Sequence, residues 1–351
     1  MHLVYAKMKV FDKIMKIFLG IETSCDETAA ALIQGTSLLG HVVYSQDHRA
    51  FGGVMPQVAA RQHMEQIPHV MNSLFTQAHL LPSDISGVGV TSGPGLVGGL
   101  LVGLMFAKGL AMSLSCPLWP IHHLEAHALM VRMTEPVDFP YLVVLLSGGH
   151  CLMAEVLGVS SYKILGQTYD DAVGECLDKV ARVLGGPYPG GPYIEQMARE
   201  GDPHAVTLPI PLAREISCHF SFSGLKTACI QWVKKQGPLS KQGQQDFCAS
   251  LQRTIAESLC QRLGYALHKT GLARCVISGG VAANLYFRQR FQEVCHQHGA
   301  KFVAPPAHLC TDNGAMVAWA AHEHAQAGLI PTLEHSARAS WPLDALSPLQ
   351  S

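Results

Sequence analysis

The stretch IHHLEAHALM at 121–130 places His122, His123 and His127 around Glu125. In a helix, His123 and His127 share one face, a turn of about 5.4 Å apart. Two imidazoles so placed can reach one metal ion; the pair equally fits two partly buried histidines bonded to backbone. A zinc-peptidase helix carries HExxH, with its glutamate next to the first histidine. Here Glu125 follows His123 by two and projects about 200° around the helix, away from a metal held by both rings. That order counts against a metalloprotease. The best third ligand is Asp312 in HLCTDNGAMVAWA, 308–320, where a polar turn precedes an apolar helix. Asp312 also fits a helix N-cap. A His/His/Asp set leaves coordination positions open, as a substrate-binding metal needs.

SGG occurs at 147–149 and again at 278–280, each behind an apolar strand, with TSGPG at 91–95 and an acidic turn ETSCDET at 22–28. Glycine lacks a Cβ, so such turns let backbone N–H groups approach a phosphate. Singly, each marks only a turn. Together they suggest a nucleotide held by backbone donors between two lobes, without a GxxxxGK[ST] loop. The segment TYDDAVGECLDKVARVLG, 168–185, is amphipathic from about Ala172. Its Asp178 reads either as a carboxylate for a ribose hydroxyl or, with Lys179, as part of a solvated face.

The elements that must position these residues come in two series. KIFLGI (16–21) is a strand, followed by the acidic turn, AAALIQ, and a third strand around 39–44. Residues 56–79 have helical periodicity, with Pro56 suited to the first turn and Pro68 expected to kink or break the helix. Residues 87–114 read as strand, Gly/Pro turn and long apolar helix; PLWPIH is a strand and 123–133 a helix. The pattern restarts with strand–turn–strand at 141–158 and strand, Gly-Gly turn and helix at 273–294. The expected division is an extension 1–14, a first lobe 15–133, a second lobe 134–320, and a C-terminal helix and tail 321–351 lying back on the first lobe, loose from about 335.

The chain has 351 residues, 48% hydrophobic and 15% charged, which suits a compact two-lobed α/β protein. A net charge of −1 gives no global sign of nucleic-acid binding, and leaves room for a local basic face or a partner. The 11 cysteines form no CxxC pair and fall in apolar segments, so they read as reduced core residues of a cytoplasmic protein. No uninterrupted apolar run reaches about 18 residues, so neither a transmembrane helix nor a membrane partner is expected. The opening residues make a poor secretory signal.

GIETSCDETAAAL (20–32), TSGPGLVGGLLVG (91–103), HHLEAH (122–127), LLSGGHC (145–151), GECLDKVARVLG (174–185), YPGGP (188–192), SFSGLKTA (221–228), SGGVAAN (278–284) and CTDNGAMVA (310–318) occur in this order. Together they resemble the TsaD family, bacterial transferases that place threonylcarbamoyl on adenosine 37 of ANN-decoding tRNAs. The resemblance implies the two-lobed ASKHA fold of actin, sugar kinases and Hsp70, with nucleotide and metal in the interlobe cleft. It implies threonylcarbamoyl-AMP as donor, AMP as leaving group, and one Fe2+ or Zn2+ per subunit on His123, His127 and Asp312. Leu145, Leu146, Ser147, Gly148 and Gly149 would hold the acyl-phosphate region, and Asp178, Gly191 and Asn284 the adenosine. Asp26 is the candidate for proton transfer or amine positioning, with a structural turn aspartate as the alternative. tRNA, a paralogous scaffold subunit and a small ATPase are the implied partners. The sequence departs from the family at Ala126, Gln57 and Cys176-Leu177, where Gly, Glu and Ala-Phe are usual. A metallo-glycoprotease and a small-molecule kinase of the same fold are the competing readings.

Overall fold

The computed structural model describes residues 16–48 and 53–346, so the expected extension 1–14 lies outside the described residues. Two five-stranded mixed sheets organise the chain. The first contains β1 (Ile17–Glu22), β2 (Glu27–Gln34), β3 (Ser37–Ser45), β4 (Ile85–Gly93) and β5 (Leu118–His122), in the order β3-β2-β1-β4-β5. The second contains β6 (Tyr141–Leu146), β7 (Cys151–Gly158), β8 (Ser161–Gln167), β9 (Arg274–Ser278) and β10 (Lys301–Val303), in the order β10-β9-β6-β7-β8. In each sheet three consecutive strands form antiparallel hairpins, and two later strands join in parallel beside the first. The restart seen in the sequence is therefore a repeated topology. β1 and β6 lie fully buried, as near-continuous apolar runs must when both sheet faces are covered.

Helices α1 (Pro56–Ala78) and α2 (Val97–Leu114) cover the first sheet. Pro56 starts α1 as expected, but Pro68 does not end it. A mid-helix proline costs roughly 3 kcal/mol; the buried row Ile67, Val70, Met71 and Leu74 packs on β2 and β3 across that point and offsets it. Among the described residues, α2 alone has the length and apolarity to cross a membrane, with a mean hydropathy of 1.7. The run is not uninterrupted, since Lys108 lies within it. Its inner residues Gly99, Leu100, Gly103, Leu104, Ala107 and Ala111 are buried against β4 and α1.

The expected helix over 123–133 is divided at Met130 into α3 (His123–Leu129) and α4 (Val131–Thr134). Helices α5 (Val173–Val183), α6 (Gly190–Ala198), α7 (Ser223–Gln236), α8 (Lys241–Thr270) and α9 (Leu285–Gln297) belong with the second sheet. Helix α10 (Gly314–Gln326) then returns to the first sheet, packing on β1, β2 and β4, and runs unbroken across residue 320. It lies so close that a Cβ on Gly20 or Gly314 would collide with opposing backbone. The chain after 335 is not loose as far as residue 346. Arg338 N–H bonds Ser92 O at 2.8 Å, Gly95 N–H bonds Ala339 O at 3.2 Å, and Leu343 is buried in the second-lobe core. The low apolar content of that segment hid this, because much of its anchoring is by backbone.

Candidate active site

α3 begins where β5 ends. His122 is its N-cap: Nδ1 accepts Leu124 N–H at 3.1 Å, and Nε2 donates to Trp341 O at 2.9 Å. Burial pushes this ring down to about 4, so it is neutral with its tautomer fixed by those two bonds. His123 and His127 follow on one face, ring centroids 4.7 Å apart. Asp312 enters from the turn before α10. The cap of that helix is Asn313, whose Oδ1 accepts Met316 N–H at 2.9 Å, so the Asp312 carboxylate is not needed there. His127 Nε2 lies 2.9 Å and His123 Nε2 3.6 Å from Asp312 Oδ1. One ligand atom from each residue falls within 4.8 Å of the other two, and this group could hold a metal.

The surroundings suit a cation. Glu22 Oε2 lies 3.2 Å from His123 Nδ1 and accepts Thr91 Oγ1–H at 2.5 Å, while Ser24 N–H bonds Glu22 Oε1 at 2.5 Å. A carboxylate behind Nδ1 keeps the proton there and presents Nε2 outward, as in metal-ligating histidines generally. Burial opposes charge on His123, but Asp312 and Glu22 prevail and raise it to about 9. Burial likewise opposes charge on Asp312, yet His123 and His127 hold its carboxyl well below the usual range. A divalent cation held on these nitrogens would displace any proton they carry. His127 Nδ1 is buried without a hydrogen-bond partner among the described residues, so whatever Nε2 binds decides its tautomer.

Glu125 faces the other way, as its spacing requires. Its Oε1 accepts Ser160 N–H at 2.7 Å and Tyr162 OH at 3.1 Å, and its Oε2 lies 2.8 Å from His324 Nε2. Burial works against its charge, but these partners, His324 foremost, hold its carboxyl below the ordinary value. It has no path to a peptide at the histidine pair.

Leu145 and Leu146 close β6, both buried, and Ser147–Gly149 turn away from it. His150 N–H bonds Ser147 Oγ at 3.0 Å and Ser147 N–H bonds His150 O at 2.8 Å. Gly148 and Gly149 face open space, where an added Cβ would meet nothing within 4 Å. Gly174 in α5 sits against this turn, and a Cβ there would lie 2.6 Å from Ser147 O. Further along α5, Asp178 Oδ1 accepts Gly190 N–H at 2.6 Å, beside Gly191; burial raises the Asp178 carboxyl above its ordinary value. Asn284 caps α9, accepting Phe287 N–H at 3.0 Å and donating to Gln252 Oε1 at 2.9 Å. Asp26 lies in the β1–β2 turn, its carbonyl accepting Gln46 N–H at 3.0 Å. Its charge also acts on Asp178 and Tyr188 of the other lobe. The fold thus brings His123, His127 and Asp312 into contact and sets Asp26 near enough for its charge to act on Asp178; among the described residues the Asn284 side chain bonds Gln252 and Phe287 rather than any of these.

Two residues escaped the sequence reading. Glu22 belongs to ETSCDET, but nothing in the sequence pairs it with a histidine 101 positions away. His150 belongs to LLSGGHC; burial, then His123, press it down to about 4, a neutral imidazole beside the metal group. Of the departures, Ala126, Cys176 and Leu177 are buried, and Gln57 is exposed on α1.

The repeated sheet topology in two lobes is that of the ASKHA fold, and the His/His/Asp group adds to it a site that could hold a metal. Its fold is similar to that of the Acidaminococcus fermentans (R)-2-hydroxyglutaryl-CoA dehydratase component A, with TM-score 0.54 and 15% identity over 88% of this chain and 99% of that one. Residues 37–319 match the family described as TsaD: tRNA N6-adenosine threonylcarbamoyltransferase. The chain is 47% identical over 342 residues to the tRNA N6-adenosine threonylcarbamoyltransferase of Rhizobium johnstonii, covering 93% of this chain and 94% of that one. It is 47% identical over 340 residues to the Brucella canis enzyme of the same description, covering 93% and 95%. The chain belongs to the TsaD family and transfers threonylcarbamoyl to N6 of a tRNA adenosine, forming t6A.

Proposed function

We propose that the interlobe cleft holds threonylcarbamoyl-AMP and presents its carbamoyl carbon to N6 of adenosine 37 in ANN-decoding tRNAs. The adenylate would lie along Asp178, Gly191 and Asn284, with the acyl phosphate over Leu145, Leu146, Ser147, Gly148 and Gly149, where open glycines leave backbone N–H groups accessible. His123, His127 and Asp312 would hold one Fe2+ or Zn2+, which when bound supplies orientation and Lewis-acid polarisation of the donor. The N6 lone pair forms the new C–N bond, the carbamoyl C–O bond to phosphate breaks, AMP departs with that electron pair, and N6 gives up a proton. Asp26 positions the amine or accepts that proton late. The division into a first lobe from 15 to 133 and a second lobe from 134 belongs to this reading, with the return to the first lobe beginning at α10 (Gly314–Gln326) rather than at residue 321. So do a cytoplasmic setting, a scaffold paralogue and a small ATPase; a net charge of −1 fits a tRNA surface shared with such partners.

The observation that carries the reading is the convergence of His127 and Asp312, 185 positions apart, with His123 in a chain of this family. Nucleoside mass spectrometry of tRNA tests it in cells depleted of their own enzyme. Resupply with the chain should restore threonylcarbamoyladenosine, and His123→Ala/His127→Ala should not. Restoration by both would remove the metal pair from the mechanism.

A further inference from the structure

The two metal-bearing segments are distant in sequence, and a set of buried polar bonds remote from the ligand atoms ties them together. Glu125, fully buried, lies on the face of α3 opposite His123 and His127. Its Oε2 meets His324 Nε2 of α10 at 2.8 Å. Its Oε1 takes Ser160 N–H at 2.7 Å, Ser160 Oγ at 3.4 Å and Tyr162 OH at 3.1 Å, all from the β7–β8 hairpin of the second sheet. Ser160 holds a left-handed φ of +57°, a costly conformation for a residue with a Cβ, in the turn that delivers this N–H. The residue before His324, Glu323, meets Arg132 of α4, Oε1 to Nε at 2.7 Å and Oε2 to Nη2 at 3.5 Å. Arg132 is itself held over the Phe139 ring at 4.0 Å.

A buried carboxylate with four donors is costly to leave partly bonded and rigid when complete. Its partners here come from α10 and from the second sheet, so it fixes α3 against both. α10 starts two residues after Asp312. A shift of α3 along α10 would therefore move the histidines relative to that carboxylate, and ligand sites tolerate little displacement.

We infer that Glu125 is a positioning residue. With His324, and seconded by Arg132–Glu323, it forms a clasp that sets His123 and His127 against Asp312 and anchors both to the second lobe before any metal binds. The consequence for metal rests on the reading above, whereas the clasp is a property of the metal-free chain.

The test uses the full chain with E125Q, E323Q and, as a control of stability alone, L267A in α8, within the second-lobe core that excludes α3. Co2+ titration followed by visible absorption reads the site, and hydrogen–deuterium exchange of the metal-free protein reads the clasp. E125Q is expected to weaken Co2+ binding by about 10-fold or more, E323Q by less, and L267A not at all. E125Q should also speed exchange in 123–129 and 314–320 of the metal-free protein. A folded E125Q with wild-type Co2+ affinity and wild-type exchange overturns the inference, as does an L267A that loses Co2+ affinity to the same degree. Should E125Q not fold, E323Q carries both readouts, and wild-type behaviour in both overturns it. A wild-type chain that binds no Co2+ ends the metal reading alone; faster exchange in E125Q would still support the clasp, and unchanged exchange would overturn it.

Discussion

Glu22 Oε2 stands 3.2 Å from His123 Nδ1, both side chains sealed from solvent, with Thr91 and Ser24 fixing the carboxylate. The pairing sets which ring nitrogen of His123 is free. In Glu22→Gln an amide N–H can face Nδ1 and favour the tautomer protonated on Nε2, the atom directed at Asp312. Such outer partners typically contribute about 10–100-fold to metal affinity. Competition against a chromophoric chelator should show Zn2+ binding weakened within that range. An unchanged constant would mean that Ser24 Oγ, also 3.2 Å from Nδ1, orients the ring instead.

The second prediction concerns how closely Asp312 is carried to the sheet. Gly20 of β1 and Gly314 of α10 touch through backbone, and neither leaves room for a methyl group. Gly314→Ala must push α10 off β1 and β2. Overpacking of this kind costs about 1–3 kcal/mol, occasionally more, and here the displaced element begins two residues after Asp312. Thermal melting should fall for Gly314→Ala and Gly20→Ala alike, with weaker Zn2+ binding in both. A variant that melts as wild type would show that the helix can tilt freely, and the tight approach would lose its role.

Much of this was legible in the chain because chemistry and periodicity coincided. His123 and His127 announce a shared face by spacing alone, and Glu125 announces its opposite face by the same arithmetic. The strand–turn–strand restart at 141 foretold the second sheet. What was hidden depends on distance through space. Glu22 acquires its meaning only from β1 running beside β4, which brings Thr91 to it, and from α3 beginning at the end of β5. Pro68 misled because local cost was visible and the compensating packing of Ile67, Val70 and Leu74 was not. Asp312 is not the cap of α10, because its neighbour Asn313 takes that place.

A pH prediction follows from Asp170. Its carboxylate accepts Ser221 Oγ at 2.5 Å, Ser223 Oγ at 2.7 Å, Phe222 N–H at 2.8 Å and Ser223 N–H at 3.3 Å. Burial opposes the charge, but these bonds prevail and hold the group at about 2. A depressed folded value means that the unfolded chain takes up the proton first as pH falls. The stabilisation is therefore complete above the unfolded value of about 3.9 and is lost on descending toward 2. Asp170→Asn should melt lower than wild type near pH 7, with the gap closing between roughly pH 4 and 2. A gap independent of pH would show that the charge of Asp170 contributes nothing beyond the geometry of its hydrogen bonds.

The last prediction concerns the segment after 335. It is bonded to the first lobe through Arg338, Ala339 and Trp341, the last accepting His122 Nε2–H at 2.9 Å. It then places Leu343, 3% exposed, among Tyr141, Val143, Leu152 and Tyr162 of the second lobe. One short run of chain thereby fastens both lobes, and Leu343 is its fully buried apolar anchor, with Leu346 packed partly buried against the same cluster. Leu343→Ala opens a cavity there, at a typical cost of about 2–5 kcal/mol. Removing everything after Ala337 deletes that anchor together with the cap partner of His122, so it should lower the melting temperature further and raise amide exchange at His123 and Leu124. If the truncated chain instead melts with Leu343→Ala, the backbone bonds to Ser92, Gly95 and His122 and the packing of Trp341 and Leu346 add nothing beyond Leu343.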